Sequence, residues 1–218
     1  GLLGLPVVFC LDRAGITGDD GPSHHGVLDM ILLSKIPGMT ILAPSSYQEL
    51  QQMFEDALAI TDGPVAIRWA KTPAPHVGWD EVGRGLSARQ VKAASDDRTV
   101  CLLGAGKMLA AVEEAADLLA ADGIHATVWD PRCIRPLDVA MLDDAAGHRL
   151  VVTVEDGFRE GGFGTGVMDD LSSRSPRTEV AVLGVPVAHH PHGKVDDLLA
   201  SFGLDGPGVA ATVRSRLG

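Results

Sequence analysis

The chain has 218 residues, enough for one large domain or two small ones, of which 45% are apolar and 22% charged. This balance is typical of globular proteins, and the formal net charge of −11 argues against nucleic acid or an anionic membrane as the main partner. Gly4 and Pro6 interrupt the first apolar run, so neither a membrane-spanning helix nor a signal peptide is predicted. Cys10, Cys101 and Cys133 are widely spaced and are expected to be reduced core thiols of a cytoplasmic protein.

The first part of the chain alternates between strand and helix patterns. Apolar runs predict strands at 5–11, 39–43 and 65–69, with a helix at 27–36 between the first two. Ser45 is the predicted N-cap of a second helix, with Gln48 completing a capping box, and this helix ends near residue 60. The chain then loses periodicity and gains proline, glycine and charge, which predicts a linker at 76–97 between domains 1–75 and 98–218.

The second part repeats the alternation. Strands are predicted at 100–103, 124–129, 150–154 and 180–183, and helices at 108–121, 137–146, 195–201 and 208–216, with another from the glycine-rich turn 161–166 to about 173. Strands that alternate with helices predict an α/β fold of two doubly wound, mostly parallel-sheet domains.

The loop from Asp12 to Gly26 follows the first predicted strand and carries most of the candidate chemistry. Ligands of open α/β sheets bind at the carboxyl ends of strands, where this loop lies. Arg13 can hold an anion, and His24 and His25 can transfer protons. Asp20 precedes His24 by four residues and could orient its ring, while four glycines allow the backbone to approach a ligand closely.

Four other motifs carry weaker signals. The acidic stretch 18–21 lacks the further oxygen ligands of a calcium loop. The Gly-Ala-Gly turn at 104–106 lacks the third glycine of a dinucleotide site, so a tight strand-to-helix turn is favoured. Pro191 interrupts the histidine tract 189–192, which favours a polar loop over a metal site. The turn 161–166 could receive a phosphate at a helix N-terminus, or could instead serve close backbone packing.

The run LDRAGITGDDGPSHHG, residues 11–26, resembles the 1-deoxy-D-xylulose-5-phosphate synthases, which are thiamine-diphosphate enzymes of the transketolase type. Further similarities cover essentially the whole chain, at residues 36–39, 43–45, 62–64, 68, 130–132, 135–138, 154–156, 161–164, 192–193 and 203–205. The resemblance implies that residues 1–75 are the C-terminal part of the pyrimidine-binding domain and that residues 98–218 are the transketolase C-terminal domain.

That family decarboxylates pyruvate on thiamine diphosphate and joins the two-carbon unit to glyceraldehyde 3-phosphate, a step in isoprenoid-precursor and thiamine biosynthesis. The resemblance implies that Arg13 and Lys71 hold the acceptor's phosphate and that His25 also binds substrate. It implies that His24 and Asp20 are catalytic and face the substrates and the reactive carbon of the cofactor. Lys71 aligns with an arginine of the family, so it binds phosphate as a point charge rather than through a two-pronged fork.

The same family holds the cofactor's diphosphate through Mg²⁺, using an Asp in a Gly-Asp-Gly motif and an Asn, and activates the cofactor with an upstream glutamate. This chain has no asparagine, and its acidic stretch 18–21 lies in the wrong domain. We therefore expect no metal ligand here, and the residues that bind the cofactor stay unassigned. The expectation is a C-terminal portion, inactive alone, that acts as a homodimer or with an N-terminal segment bearing the missing groups.

Two alternatives remain open at this point. The chain could instead be a degenerate copy of these two domains that serves as a non-catalytic assembly module, because transketolase-like C-terminal domains pack at dimer interfaces. The β subunit of a two-chain 2-oxo acid dehydrogenase carries the same two domains, although the Asp-Arg-Ala-Gly sequence at 12–15 argues against that subunit.

Overall fold

The structure is a computed structural model that describes residues 1–94 and 98–218. The last three residues of the predicted linker, 95–97, lie outside the described residues. Two sheets dominated by parallel strand pairs are connected through helices, which confirms the predicted α/β fold class. None of the helices in the described part combines the length and apolarity that crossing a bilayer requires.

The first sheet has the strand order β1-β3-β2-β7. Its three parallel strands are β1 (Val8–Leu11), β2 (Thr40–Leu42) and β3 (Val65–Arg68), and the antiparallel strand β7 (Cys133–Arg135) pairs with β2. Two helices, α1 (Asp29–Ser34) and α2 (Tyr47–Ala59), make the parallel crossovers. The predicted strands and helices of this region are thus present, with shorter bounds.

The N-terminus of α2 differs from the prediction by one residue. The N-cap is Ser46, whose side chain accepts a hydrogen bond from the backbone N–H of Glu49 at 3.0 Å. Ser45, the predicted cap, instead donates its hydroxyl to the buried carboxylate of Asp130 at 2.6 Å. The capping prediction for Ser45 was therefore wrong, because a tertiary partner 85 residues away engages its side chain.

The second sheet has the strand order β4-β6-β5-β8-β9. The strands are β4 (Arg89–Lys92), β5 (Val100–Gly104), β6 (Ala126–Asp130), β8 (Leu150–Phe158) and β9 (Glu179–Val185), all parallel to their neighbours except β4. The accompanying helices are α3 (Leu109–Ala120), α4 (Val139–Ala145), α5 (Phe163–Arg174), α6 (Val195–Ser201) and α7 (Gly206–Leu217).

Two short strands were absent from the prediction. β4 lies inside the stretch expected to be an irregular linker, and β7 comes from the second half of the chain yet closes the first sheet beside β2. Unlike β1, β2 and β3, these two strands form no apolar run, and their partners are remote in sequence. Their pairing is therefore decided by tertiary context.

One buried apolar cluster joins the two sheets. It includes Met30 and Ile41 from the first part of the chain, and Leu103 and Phe163 from the second. The ion pair between Arg68 and Asp156, at 2.8 Å, brings the carboxyl ends of β3 and β8 together, and this contact defines the crevice between the two sheets. Cys101 and Cys133 are buried as expected, but Cys10 is exposed because β1 is the edge strand of its sheet, so its assignment to the core was wrong.

Candidate functional site

The loop 12–26 is held at the carboxyl end of β1 by main-chain hydrogen bonds. The amide of Ala14 donates to the carbonyl of Trp69 at 2.9 Å, and Gly15 and Gly26 exchange two hydrogen bonds at 2.9 and 2.8 Å. Arg13 adopts a positive φ of 59°, which few non-glycine residues do. This conformation turns the loop sharply away from the strand direction directly after β1.

Gly15 is required by a close approach between the two sheets. Its φ is 72°, and a Cβ at this position would lie 2.2 Å from the carboxylate oxygen Oδ2 of Asp156 in β8. Any side chain would therefore collide with a buried acid of the second sheet. The glycines of the loop thus serve the contact between sheets at least as much as the approach to a ligand.

Two cations of the loop region converge on one carboxylate. Arg13 Nη1 lies 2.5 Å from Oδ2 of Asp20, and Lys71 Nζ lies 2.8 Å from Oδ1 of the same side chain. The hydrogen bond from Lys71, followed by the charges of Lys71, Arg13 and His24, holds the pKa of Asp20 below its usual range. The structure therefore brings together three of the five predicted site residues, and the two expected phosphate-binding cations share one anion.

His24 lies on the exposed side of this cluster, with a different partner from the one predicted. Its Nδ1 atom lies 3.0 Å from the hydroxyl of Ser23, whereas the hydrogen bonds of the Asp20 carboxylate in the described part come from Arg13 and Lys71. The predicted orientation of the His24 ring by Asp20 is therefore not formed here. The imidazole is left accessible at the open edge of the site.

His25 is half-buried and has both ring nitrogens engaged. The amide of Thr17 donates to Nδ1 at 3.1 Å, so the neutral ring carries its proton on Nε2, which lies 3.4 Å from the carbonyl of Pro191. The ring links the loop to the second domain. In this arrangement His25 positions the loop, and the structure offers no free nitrogen on it for substrate.

The histidine tract 189–192 and the residue that follows it pack against the loop 12–26. The amide of Gly193 donates to the carbonyl of Gly18 at 3.3 Å, and a Cβ at Gly21 would lie 3.5 Å from Cβ of His192. His190 is buried, and its Nε2 atom lies 2.7 Å from the carbonyl of Pro186. The sequence predicted a polar loop here, and no local pattern indicated that the tract packs against the loop 12–26.

A buried charged group behind the loop was also missed. Arg68, at the end of β3, lies 2.6 Å from Asp29 and 2.8 Å from Asp156, and both Arg68 and Asp156 are almost fully buried. The two carboxylates raise the pKa of the Arg68 guanidinium beyond its ordinary value and thereby outweigh the effect of its burial. The ion pairs join the carboxyl ends of the two sheets directly beneath the loop.

The glycine-rich turn 161–166 is not available to phosphate. The amides of Phe163 and Gly164, at the N-terminus of α5, donate to the buried carboxylate of Glu155 at 3.0 and 2.8 Å. Burial raises the pKa of Glu155 to about 7, although these two hydrogen bonds oppose the shift. The Glu155 carboxyl group already occupies the helix end, so close packing was the correct alternative.

Both parts of the chain are similar to domains of a known family. Residues 89–209 match the family model described as the transketolase C-terminal domain, and residues 1–75 match the transketolase pyrimidine-binding domain. The chain belongs to the transketolase family. The resemblance noted from the loop sequence is thus confirmed at the level of the family.

Similar curated proteins are 1-deoxy-D-xylulose-5-phosphate synthases. The relative from Chlorobium phaeovibrioides is 41% identical over 217 residues, covering 98% of this chain and 34% of its own length. The relative from Leifsonia xyli is 41% identical over 198 residues, covering 91% of this chain and 30% of its own length. The chain therefore spans about a third of the length of these relatives.

A solved structure, described as a split gene transketolase in an inactive beta4 tetramer, has a similar fold. It superposes with a TM-score of 0.84 at 27% sequence identity, covering 96% of this chain and 66% of that one. The structural similarity therefore covers both sheets and their relative arrangement.

Proposed function

We propose that this chain is the acceptor-binding portion of a 1-deoxy-D-xylulose-5-phosphate synthase, which condenses pyruvate, with loss of CO₂, with glyceraldehyde 3-phosphate. The main support for this proposal is that two cations contact the carboxylate of Asp20: Arg13 Nη1 at 2.5 Å and Lys71 Nζ at 2.8 Å. Two cations that share a carboxylate can share a phosphate, which has more acceptor oxygens and more charge. The curated relatives, which are synthases of this name, support the same assignment.

Each predicted site residue then has a role. Arg13 contributes a guanidinium fork to the phosphate, and Lys71 contributes a point charge. His24, exposed beside the pair, moves a proton at the reacting end of the acceptor. Asp20, which both cations contact, balances their charge and faces the bound acceptor. His25 keeps the loop in place through Thr17 and Pro191.

The cofactor of the proposed reaction is thiamine diphosphate with Mg²⁺, which would supply the carbon nucleophile of the condensation when bound. In the described part of the chain, one group of three or more metal-binding side chains lies within reach of a single ion, formed by Cys101, Asp144 and His148. Thiol and imidazole are not preferred Mg²⁺ ligands, and both nitrogens of His148 already have hydrogen-bond partners. These residues do not fit a magnesium diphosphate.

We further propose that another polypeptide segment supplies the cofactor-binding groups and that the chain alone is inactive. The solved split gene transketolase, whose beta4 tetramer is described as inactive, offers a precedent for a divided enzyme. The proposed division of this chain is residues 1–75, a linker at 76–97 and residues 98–218, within a homodimer or an assembly with the missing segment. We expect the assembly to act in the cytoplasm, where the free thiols of Cys101 and Cys133 stay reduced.

Calorimetry and reconstitution test this proposal together. The isolated chain should bind thiamine diphosphate with Mg²⁺ weakly or not at all, and tight binding would contradict the division of the site. Joined to the N-terminal two thirds of the Chlorobium relative, the chain should release CO₂ from pyruvate in the presence of glyceraldehyde 3-phosphate.

Replacement of His24 in the joined enzyme tests its proton-transfer role. His24→Ala should lower turnover by about a hundredfold or more, since general acid–base groups contribute at least that much. His125→Ala, at an exposed histidine before β6, is the matched control and should leave turnover unchanged. Equal turnover in the two variants would remove His24 from the mechanism.

One observation favours a second candidate, a non-catalytic assembly module. The solved neighbour is described as an inactive tetramer, which shows that a chain of this fold can assemble without activity. Failure of the joined enzyme to turn over, combined with a stable oligomer of the chain, would favour this candidate.

A further inference from the structure

Lys107 is a cation of the second domain that lies beside the crevice between the two sheets, close enough to Thr72 for a hydrogen bond and within the electrostatic reach of Asp156 and Arg68. It lies in the single 3-10 turn Gly106–Met108, between β5 and α3. Gly106 has a φ of 57°, and a Cβ there would lie 3.4 Å from Cβ of Ala43, just beyond the end of β2. The turn is therefore packed against the carboxyl edge of the first sheet, where the proposed acceptor site is located.

The ammonium group of Lys107 has few partners. Its Nζ atom lies 3.4 Å from the hydroxyl of Thr72, the residue after Lys71. No carboxylate in residues 1–94 or 98–218 lies within 4.0 Å of it, whereas Lys71 itself is ion-paired. An ammonium has three N–H donors, so most of the hydrogen-bonding capacity of Lys107 is unused by these contacts.

The electrostatic surroundings of Lys107 leave its charge poorly compensated. Burial lowers the pKa of its ammonium, and the positive charge of Arg68 adds to this effect. Asp156 in β8 and Asp196 in α6 oppose the shift without outweighing it. A half-buried cation in this situation is stabilised by any anion that enters the crevice.

We propose that Lys107 is a third cation of the acceptor site, provided by the second domain, and that it contacts the phosphate of the acceptor beside Lys71. This inference rests on the function proposed above and specifies which residues select a phosphorylated acceptor. A phosphate monoester offers three acceptor oxygens, enough for the fork of Arg13 and two ammonium groups. A neutral aldehyde without phosphate gains nothing from any of these cations.

The arrangement also makes acceptor selection depend on the contact between the two domains. Arg13 and Lys71 belong to the loop and to the segment that follows β3, whereas Lys107 belongs to a turn of the second domain that packs against Ala43. Lys107 thus strengthens a phosphate site in which Lys71 contributes only a point charge.

Titration calorimetry of the full 218-residue chain with inorganic phosphate and with glyceraldehyde 3-phosphate tests the inference. Lys107→Met, which keeps the length of the side chain but removes the charge, should weaken phosphate binding by about tenfold to a hundredfold. Lys107→Arg should restore most of the affinity because the charge is retained. Lys92→Met is the control, since Lys92 pairs with Asp117 on the far edge of the second sheet.

A purely structural role of Lys107 would appear in a different measurement. In that case Lys107→Met would lower the urea midpoint of unfolding. It would also lower the turnover of the joined enzyme with unphosphorylated glyceraldehyde as much as with glyceraldehyde 3-phosphate. The inference instead requires an unchanged unfolding midpoint and a rise in KM confined to the phosphorylated acceptor.

The outcomes separate this inference from the proposed function. If Arg13→Met abolishes phosphate binding while Lys107→Met matches the parent chain, the role of Lys107 is overturned and the proposed function stands. If neither variant changes phosphate binding, or if the parent chain binds no phosphate, both proposals are overturned. Loss of affinity in both variants, with rescue by Lys107→Arg, supports both.

Discussion

The guanidinium of Arg68 lies 2.8 Å from the carboxylate of Asp156, so the last residue of β3 is ion-paired with a residue of β8 in the other sheet. Oδ2 of Asp156 has no hydrogen-bond partner in the described part of the chain. The two sheets are therefore held together beneath the loop by buried charge as well as by apolar packing.

Removal of this guanidinium should destabilise the fold strongly. Arg68→Met leaves Asp156 and Asp29 without their cation, and we expect the free energy of unfolding to fall by about 3–5 kcal/mol. Urea unfolding followed by circular dichroism measures the change. The control Arg216→Met breaks an exposed pair with Glu179 and should change the free energy by no more than about 1 kcal/mol. Similar losses in the two variants would mean that the buried pair has no special role.

Asp130 should make stability fall as pH rises. Burial raises its pKa to about 7, although the Ser45 hydroxyl and the Arg132 amide donate to the carboxylate. Between about pH 4 and 7 the folded chain keeps a proton that the unfolded chain has lost, so stability decreases through this window and levels off above it.

The variant Asp130→Asn tests this assignment, because its amide can donate to Ser45 and its carbonyl can accept from Arg132. We expect a higher melting temperature than the parent at pH 8 and the same melting temperature near pH 4. The pH slope should become shallower without vanishing, since Glu155, whose pKa is also raised to about 7, contributes a slope of the same sign. An unchanged slope would show that Asp130 is charged in the folded chain at neutral pH.

Asp20 should compete with phosphate for Arg13 and Lys71. Asp20→Asn keeps the shape of the side chain and removes its charge, so we expect inorganic phosphate to bind about two- to fivefold more tightly at low ionic strength. The control is Asp12→Asn, since Asp12 lies 3.8 Å from Nε of Arg13 and is largely exposed. A larger gain with Asp12→Asn than with Asp20→Asn would show that Asp20 is not the main competitor.

Neighbouring histidines should respond differently to replacement. His25→Ala removes the acceptor of the Thr17 amide, so we expect faster hydrogen exchange at Thr17 and weaker phosphate binding. His25→Asn, whose side-chain oxygen can accept the same hydrogen bond, should recover part of the protection. His24→Ala should leave Thr17 exchange unchanged, because the ring contact of His24 is to Ser23. Equal exchange in all three variants would rule out a positioning role for His25.

Much of the fold could be predicted from local patterns. The apolar runs at 65–69 and 150–154 correspond to β3 and β8, and the helix expected at 195–201 has those bounds in the structure. These segments bury several consecutive or periodic apolar residues, so local composition is enough to specify them. β7 could not be found in this way, because its three residues have no pattern of their own and are ordered by pairing with β2.

For the candidate site, too, local sequence predicted some features and only tertiary contacts decided others. The sequence by itself identified the family, through the resemblance carried by residues 11–26, and it fixed the chemical types available in the loop: an arginine, acids and histidines between glycines. Only the tertiary structure decided which of these groups meet: Lys71 with Asp20, Thr17 with His25, and Thr72 with Lys107. The reason is physical, since ion pairs and hydrogen bonds depend on distances of a few ångströms between residues up to 51 positions apart.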